Sequence, residues 1–143
     1  KLQLCVKPEY WGPATWRMLH ATAETTSSNP QDVARLITSV AHAMPCRVCR
    51  CHFKKELRIQ KRKKNRRCCT ARDVFELHNK VNKRLKKATL VFEKRPRHKL
   101  DLDEIQNVVD LFRWNVKRQE LGPNSKRYKA VEYIENYFFK VNR

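Results

Sequence analysis

Cysteines are the residues whose number and spacing most clearly suggest chemistry in this sequence. The chain has six of them in 143 residues. Cys46 and Cys49 form a CxxC, and Cys68 and Cys69 form an adjacent pair further along. Such patterns serve zinc ligation, thiol redox chemistry or structural disulfides. A purely structural disulfide framework explains the number of cysteines but not their clustering.

A zinc site is the first of these interpretations. It would take Cys46 and Cys49 together with two further ligands from this set: Cys51, His52, Cys68, Cys69 and His78. The spacing counts against such a site, because two consecutive cysteines rarely both reach one tetrahedral ion.

A redox pair is the second interpretation. A CxxC at the start of a helix places a thiol where backbone N–H groups and the helix dipole stabilise its thiolate and lower its pKa. Pro45 suits a first helical turn, and Arg47 and Arg50 add positive charge. The thioredoxin form of this chemistry needs a βαβ context, which this sequence lacks. Spacing alone therefore leaves the zinc and redox interpretations open.

Helical periodicity surrounds these cysteines and predicts an all-α fold with four bundle helices followed by two more. The first helix is predicted over residues 14–26. The second begins at the pair Asn29 and Pro30, a cap followed by a first-turn proline, and ends before Pro45. The third begins near Cys46, which places the CxxC in its first turn. No strand and no internal repeat is expected.

Caps and apolar stripes predict the remaining three helices. Thr70 and Asp73 resemble a capping box before a fourth helix, whose inward face is Val74, Leu77, His78, Val81 and Leu85. Residues 93–100 have the composition of a linker. Asp101 opens a fifth helix with the apolar stripe Ile105, Val108, Val109, Phe112 and Val116. Ser125 caps a sixth helix with Val131, Ile134, Phe138 and Val141.

Positive charge dominates the composition. The chain has 33 Lys and Arg against 14 Asp and Glu, a net charge of +19, which favours a polyanionic or acidic partner. The densest basic run, residues 54–67, is either a solvated helix end or a nucleic-acid contact made through phosphates, since no aromatic residue interrupts it. Two glycines are too few for a glycine-rich nucleotide loop. No apolar run is long enough to predict a membrane-spanning helix.

Three segments together resemble the Erv/ALR family of FAD-dependent sulfhydryl oxidases. The family pattern WGxxxWxxLH is similar to residues 11–20, its CxxC to residues 46–49, and its HNxVN to residues 78–82. The segments also follow the order of the family. The resemblance implies an FAD-binding helical bundle of the Erv/ALR type over residues 8–92, followed by a C-terminal helical extension over residues 93–143.

The resemblance also implies an activity and the residues that perform it. Electrons would pass from thiol-containing protein substrates to FAD and then to molecular oxygen, with no metal involved. Cys46 would be the outer sulfur that exchanges with substrate, and Cys49 would attack the isoalloxazine as a thiolate. The implied FAD-binding residues are Trp11, Gly12, Trp16, His20, His78, Asn82, Lys83 and Lys87. Members of the family commonly form homodimers.

Helical spacing agrees with part of this assignment. His78 and Asn82 are four residues apart, so both lie on one face of the predicted fourth helix, together with apolar residues. Burying such polar groups without partners costs on the order of 1–3 kcal/mol. They are either satisfied within the core or bound to a ligand rich in hydrogen-bonding groups, such as a dinucleotide.

The sequence departs from the family pattern in four places. Thr25 and Thr26 stand where the family usually has aromatic residues. Phe75 stands where the family usually has a cysteine, so the common structural disulfide is absent or rerouted, for example through Cys51 and a later cysteine. Lys86 stands where a glycine is usual. No second CxxC is present as a shuttle. Cys5 or the pair Cys68 and Cys69 could take that role, or the substrate could reach the CxxC directly.

Shuttle-free members of the family are typical of large DNA viruses. This favours a virion or the cytoplasm of an infected cell over the mitochondrial intermembrane space or a secretory compartment. Two rival functions are an Erv-like structural component of a virion or ribonucleoprotein, with reduced or no activity, and a zinc-stabilised nucleic-acid-binding helical module. The high charge and the missing aromatic residues motivate the structural rival, whereas the intact CxxC and HNKVN segments argue against it.

Overall fold

The computed structural model describes residues 5–25, 29–65 and 70–139. Within these ranges the structure has no strand and is built from α-helices: α1 (Gly12–Glu24), α2 (Pro30–Ala43), α3 (Arg47–Lys63), α4 (Ala71–Arg84), α5 (Leu102–Arg118) and α6 (Lys126–Phe139). Short 3₁₀ turns cover Pro8–Tyr10 and Phe92–Lys94. The predicted all-α class is confirmed. None of the described helices has the length and apolar character needed to cross a membrane.

Local capping explains where four of these helices begin, as the sequence predicted. Asn29 accepts a hydrogen bond from the Gln31 N–H at 2.8 Å. Thr70 and Asp73 form a complete capping box, with both reciprocal bonds at 3.1 Å. Asp101 and Ser125 are also N-caps. Asp101 accepts a hydrogen bond from the Glu104 N–H, and Ser125 accepts one from the Arg127 N–H. Each cap satisfies N–H groups that have no partner within the helix.

Some of the predicted boundaries and faces differ from the structure. α1 begins at Gly12 and not at residue 14, and it ends at Glu24. Leu85 was predicted to point inward, but it is 45% exposed. The reason is that α4 ends at Arg84, and the chain turns through Lys86, which has a φ of 60°. Val141 lies outside the described residues.

One apolar core joins the four N-terminal helices to the last two. α6 packs along α2, and α5 packs against both α1 and α6. The side chains at the centre of this core are fully buried: Leu36, Val40, Val109, Phe112 and Ile134. Burying a side chain of this size stabilises the fold by roughly 1.5–3 kcal/mol. The C-terminal helices therefore support α2, which in turn packs against α3, the helix that starts at the CxxC.

Candidate active site

The CxxC lies at the N-terminus of α3, as predicted. Cys46 is the N-cap of this helix, and its sulfur accepts a hydrogen bond from the Cys49 N–H at 3.4 Å. Cys46 is only 7% exposed, whereas Cys49 is half-buried against the core. The Arg50 guanidinium donates to the Met44 carbonyl at 2.6 Å and so fixes the turn that precedes the helix.

The two thiols of this pair differ in acidity. Burial raises the pKa of Cys46, but hydrogen bonds from Cys49 and from the first turn of α3 outweigh burial and lower that pKa overall. Burial and the neighbouring Cys46 raise the pKa of Cys49 to about 12. In the dithiol state, Cys46 is therefore the sulfur that ionises first. Since thiolates are the reactive form, the pair is polarised for exchange at Cys46.

A cluster of aromatic and imidazole rings lies between α1 and α4. His20 Nε2 and His78 Nδ1 are 2.9 Å apart and share a hydrogen bond. The Trp16 and His78 rings are stacked, with centroids 4.0 Å apart and an angle of 8° between the planes. The structure thus brings together three of the predicted cofactor-binding residues.

Both imidazoles of this cluster are held neutral. Burial, followed by the charges of His78, His98 and Arg95, lowers the pKa of His20 to about 3. Burial, followed by the charges of His98 and Lys87, lowers the pKa of His78 to about 4. A neutral imidazole has one donor and one acceptor nitrogen, so the cluster presents uncharged hydrogen-bonding groups at physiological pH.

Phe53 connects this ring cluster to the CxxC. It lies one helical turn after Cys49 on α3, and its ring centroid is 5.7 Å from that of Trp16. α3 and α4 run antiparallel, so the end of α4 returns to the start of α3, where the charge of Arg84 acts on Cys49. The thiols and the rings therefore belong to one region of the molecule.

The other predicted cofactor-binding residues are more dispersed. Trp11 is buried outside the ring cluster, where its Nε1 donates to the carbonyl of Val6, the residue that bonds to Pro45, and its ring meets Phe112 edge-on. Gly12 opens α1 with open space around its Cα. Asn82 is half-buried and makes no hydrogen bond to any described residue through its side chain.

The two predicted lysines are both exposed at the end of α4 and just beyond it. Lys87 is near enough to His78 for its charge to lower the pKa of that imidazole. Lys83 lines a separate cleft of about 370 Å³ between α3 and α4, together with Asn79. Of the two lysines, Lys87 is therefore the one associated with the ring cluster.

Residues 92–98 form a strap that lies over the ring cluster, and no pattern in the sequence predicts it. The His98 ring stacks on His20 with centroids 4.5 Å apart and 16° between the planes. Glu24, at the end of α1, accepts from the Arg95 guanidinium at 3.3 Å and from the His98 backbone N–H at 3.4 Å. The segment that reads as a linker is in fact held against the site by an ion pair.

Two further residues hold this side of the molecule together. Phe75, which replaces the expected cysteine, is buried and meets the Phe92 ring edge-on at 5.4 Å. Asn79 makes two hydrogen bonds to the backbone of Leu90, at 2.8 and 3.2 Å, and so ties the chain that follows α4 back to the helix. Cys51 is a free, exposed thiol.

The described residues offer one group of three side chains with metal-binding geometry, and it contains no cysteine. It consists of His20, Glu24 and His98, whose ligand atoms lie within 4.8 Å of one another. Arg95 already pairs with Glu24, and this cation opposes a metal ion there. Cys68 and Cys69, two of the candidate zinc ligands, lie outside the described residues.

The residues of this region fit a dinucleotide by their chemistry. Two neutral imidazoles and the unpaired amide of Asn82 can exchange hydrogen bonds with a base or ribose, Trp16 can stack on a ring, and Lys87 can meet a phosphate. Because Trp16 and His78 are in direct contact, a ring would bind beside this stack or would have to separate it.

Comparison with known proteins points to one family. The profile of the Erv1 / Alr family matches residues 13–104. The chain is 31% identical over 84 residues to the mitochondrial FAD-linked sulfhydryl oxidase ERV1 of Saccharomyces cerevisiae, an overlap of 55% of this chain and 44% of the yeast protein. It is 35% identical over 92 residues to the FAD-linked sulfhydryl oxidase ERV1 of Arabidopsis thaliana, an overlap of 61% of this chain and 47% of the plant protein. The matched region spans less than half the length of these relatives. No solved structure matches at a significant level.

Proposed function

The chain belongs to the Erv1/Alr family, and from this membership we propose that it is an FAD-linked thiol oxidase that forms disulfides in protein substrates. The observation that carries the proposal is the position of the CxxC. Its two sulfurs start the helix that also carries Phe53, and Phe53 contacts the Trp16 ring of the aromatic cluster. This connection between the dithiol and the ring cluster supports the transfer of electrons from the thiols to a flavin bound at the rings.

We propose that FAD is held by the residues implied by the family motifs: Trp11, Gly12, Trp16, His20, His78, Asn82, Lys83 and Lys87. Among these, Trp16, His20 and His78 have the strongest structural support, since they form one cluster. When bound, FAD supplies a two-electron acceptor that molecular oxygen can reoxidise.

The protein itself contributes thiol chemistry. In the oxidised enzyme, a substrate thiolate would attack the Cys46 sulfur of the Cys46–Cys49 disulfide, and Cys49 would leave as a thiolate. A second substrate thiol would then attack the substrate sulfur of this mixed disulfide and release Cys46. The N–H groups that lower the pKa of Cys46 stabilise the departing thiolate. The substrate gains one disulfide, and the CxxC becomes a dithiol.

Single cysteine substitutions test the proposal. We expect the purified chain to bind FAD and to consume oxygen in the presence of dithiothreitol. Cys49→Ser should reduce oxygen consumption to background and leave FAD bound, because it removes one sulfur of the redox pair and keeps the size of the side chain. Cys51→Ser is the matched control, since this exposed cysteine lies on the same helix and forms no disulfide.

Two outcomes would contradict the proposal. Oxygen consumption by Cys49→Ser equal to that of the unmodified chain would show that the CxxC is not the redox pair. A chain that is folded but binds no FAD, and whose elemental composition includes zinc, would instead favour a zinc-stabilised module.

Two finer features remain proposals. Residues 54–67 would bind a polyanion such as nucleic acid. Their described part is the basic second half of α3 and the turn after it, where Arg58, Arg62 and Lys63 are exposed. We also propose the homodimer that the family implies, and sedimentation of the purified chain would measure it.

A further inference from the structure

Four cationic side chains from α3 and α6 lie near the end of α2. Arg50 Nη1 donates to the carbonyl of Met44, the residue that ends α2, at 2.6 Å. Lys54 follows Arg50 by four residues and so lies on the same face of α3. The first turn of α6 supplies the other two members. These four residues are the cationic cluster: Arg50, Lys54, Lys126 and Arg127.

The packing of α6 on α2 brings the start of α6 to this place. The Tyr133 hydroxyl, in the second half of α6, donates to the Asp32 carbonyl near the start of α2 at 3.5 Å. The Arg35 guanidinium also lies over the Tyr133 ring, 4.6 Å from its centroid. The two helices are therefore antiparallel, and the start of α6 meets the end of α2, where the charge of Lys126 acts on His42.

Arg127 is held in this position by neutral partners. Its Nη1 donates to the side-chain oxygen of Gln119 at 2.6 Å, and its Nη2 donates to the side-chain oxygen of Asn115, both near the end of α5. Its Nε is buried and has no hydrogen-bond partner in the described part of the chain. Burial, followed by the charge of Arg50, lowers the pKa of Arg127 to about 10. The guanidinium therefore stays charged at neutral pH.

No carboxylate balances the cationic cluster. All 14 Asp and Glu residues of the chain lie within the described ranges, and none of them forms an ion pair with a member of the cluster. Arg50, Lys54 and Arg127 are nevertheless half-buried. By contrast, Arg95 and Arg113, which are buried to a similar degree, each pair with a glutamate.

The members of the cluster also act on one another. Burial, followed by the charge of Arg50, lowers the pKa of Lys54, and Lys126 and Arg127 act in the same direction. Burial, followed by the charges of Lys54 and Lys126, lowers the pKa of His42, so this neighbouring imidazole is neutral at pH 7. Like charges held together and partly removed from water repel each other. A bound anion would relieve this repulsion.

We propose that the cationic cluster is a binding site for a phosphate group. Phosphate oxygens accept charge-assisted hydrogen bonds from guanidinium and ammonium groups. The N-terminus of α6, which begins at Lys126, adds the positive end of a helix dipole. Free diphosphate and the backbone of a nucleic acid both present such a group. The site is distinct from the exposed basic residues in the second half of α3, because its charges come from two helices and are half-buried.

Titration calorimetry with sodium diphosphate, at an ionic strength held constant with NaCl, tests the site. The double variant Lys54→Gln/Lys126→Gln should weaken the affinity for diphosphate by about tenfold or more, because it removes two charged donors. It leaves the hydrogen bonds of Arg50 and Arg127 in place. Arg58→Gln/Arg62→Gln is the matched control. It removes the same charge from exposed positions further along α3 and should leave the affinity unchanged.

Two kinds of result would overturn the proposal. One is the absence of diphosphate binding by the unmodified chain. The other is an affinity that is unchanged in Lys54→Gln/Lys126→Gln, or that falls equally in both double variants, since the charge would then act without a local site.

A single-stranded oligonucleotide identifies the source of the phosphate group. If the source is a nucleic acid, Lys54→Gln/Lys126→Gln should lower the affinity for the oligonucleotide more than the control variant does, in addition to the loss with diphosphate. If the source is a free phosphate compound, the two variants should bind the oligonucleotide equally well. These measurements require neither FAD nor oxygen, so their results are independent of the proposed thiol oxidase function.

Discussion

The hydrogen bond between His20 and His78 makes the two imidazoles dependent on each other. With both rings neutral, one nitrogen donates and the other accepts across 2.9 Å. If both rings were protonated, two N–H groups would face each other in a largely buried setting. His98, Arg95 and Lys87 add further positive charge around the pair. The geometry therefore favours the neutral pair and makes protonation of either imidazole unfavourable.

The free energy of unfolding should fall as the pH is lowered from about 6.5 to about 4. The pKa values of His20 and His78 are lowered in the folded protein to about 3 and about 4, so in this range the unfolded chain binds about two protons that the folded chain does not. Urea denaturation followed by circular dichroism at a series of pH values measures the slope. His78→Gln should make the slope shallower, and an unchanged slope in this variant would contradict the assignment.

The ends of the helices show how a chain with two glycines turns its backbone. α3, α4 and α5 are each followed by a residue with positive φ, namely Asn65, Lys86 and Glu120. Glycine is the usual residue at such positions, because side chains with a Cβ are strained in the left-handed conformation. Lys86, which stands where the family pattern has a glycine, thus adopts a conformation that glycine favours.

Replacing Lys86 with glycine should relieve this strain and increase the free energy of unfolding by roughly 1 kcal/mol. Lys80→Gly is the matched control. It removes the same exposed side chain from the interior of α4 and should decrease stability by about 1 kcal/mol. Urea denaturation of the two variants gives both values. A loss of stability in both would show that the φ of Lys86 costs little.

The strap over the ring cluster depends on Glu24. Glu24→Gln should weaken the bonds to Arg95 and His98, and so should increase backbone hydrogen exchange over residues 92–98. Glu93→Gln is the control within the strap itself, since it removes only an exposed ion pair with Arg72. Equal exchange in the two variants would mean that the stacking of His98 on His20 holds the strap without Glu24.

The helix starts are predictable from the sequence because their signals are local. Asn29, Thr70, Asp101 and Ser125 each cap a helix through bonds that span two or three residues, so their spacing along the chain is sufficient to predict them. The position of the CxxC at a helix start was found in the same way.

Contacts between distant segments were not predictable in this way. His98 meets His20 across the fold, and no periodicity marks a ring that lies on an irregular strap. Trp11 belongs to a family motif, yet its ring packs on Phe112 of α5, a helix whose position could not be read from the motif. The inward position predicted for Leu85 was wrong, because it was based on helical spacing and α4 ends one residue earlier, at Arg84.

Charge acts at the scale of the whole molecule. A net charge of +19 on 143 residues creates a positive potential that attracts polyanions without sequence preference. The shared core offsets the mutual repulsion, because α5 and α6 bury apolar surface against α1 and α2. A polyanion bound to the surface would stabilise the folded chain further by mass action.

If the second half of α3 is the part of the surface that binds nucleic acid, the affinity for a random-sequence oligonucleotide should fall steeply as the salt concentration rises. The triple substitution of Arg58, Arg62 and Lys63 to Gln should make that dependence shallower by about 0.7 in log–log slope for each lost contact to a single strand. The same substitution at Lys117, Arg118 and Lys129 removes an equal charge from exposed positions elsewhere and is the control. Fluorescence anisotropy measures both, and equal slopes would show that the charge acts without a local site.

The stacking of Trp16 on His78 has a spectroscopic consequence. The chain has three tryptophans. Trp11 is enclosed by the core and Trp114 faces solvent, so only Trp16 lies face to face with an imidazole. An excited indole readily gives up an electron to a cationic imidazole and then emits less light. The emission intensity of this one side chain should therefore follow the charge on His78, which makes the protein carry its own optical reporter at the place where we propose that FAD binds.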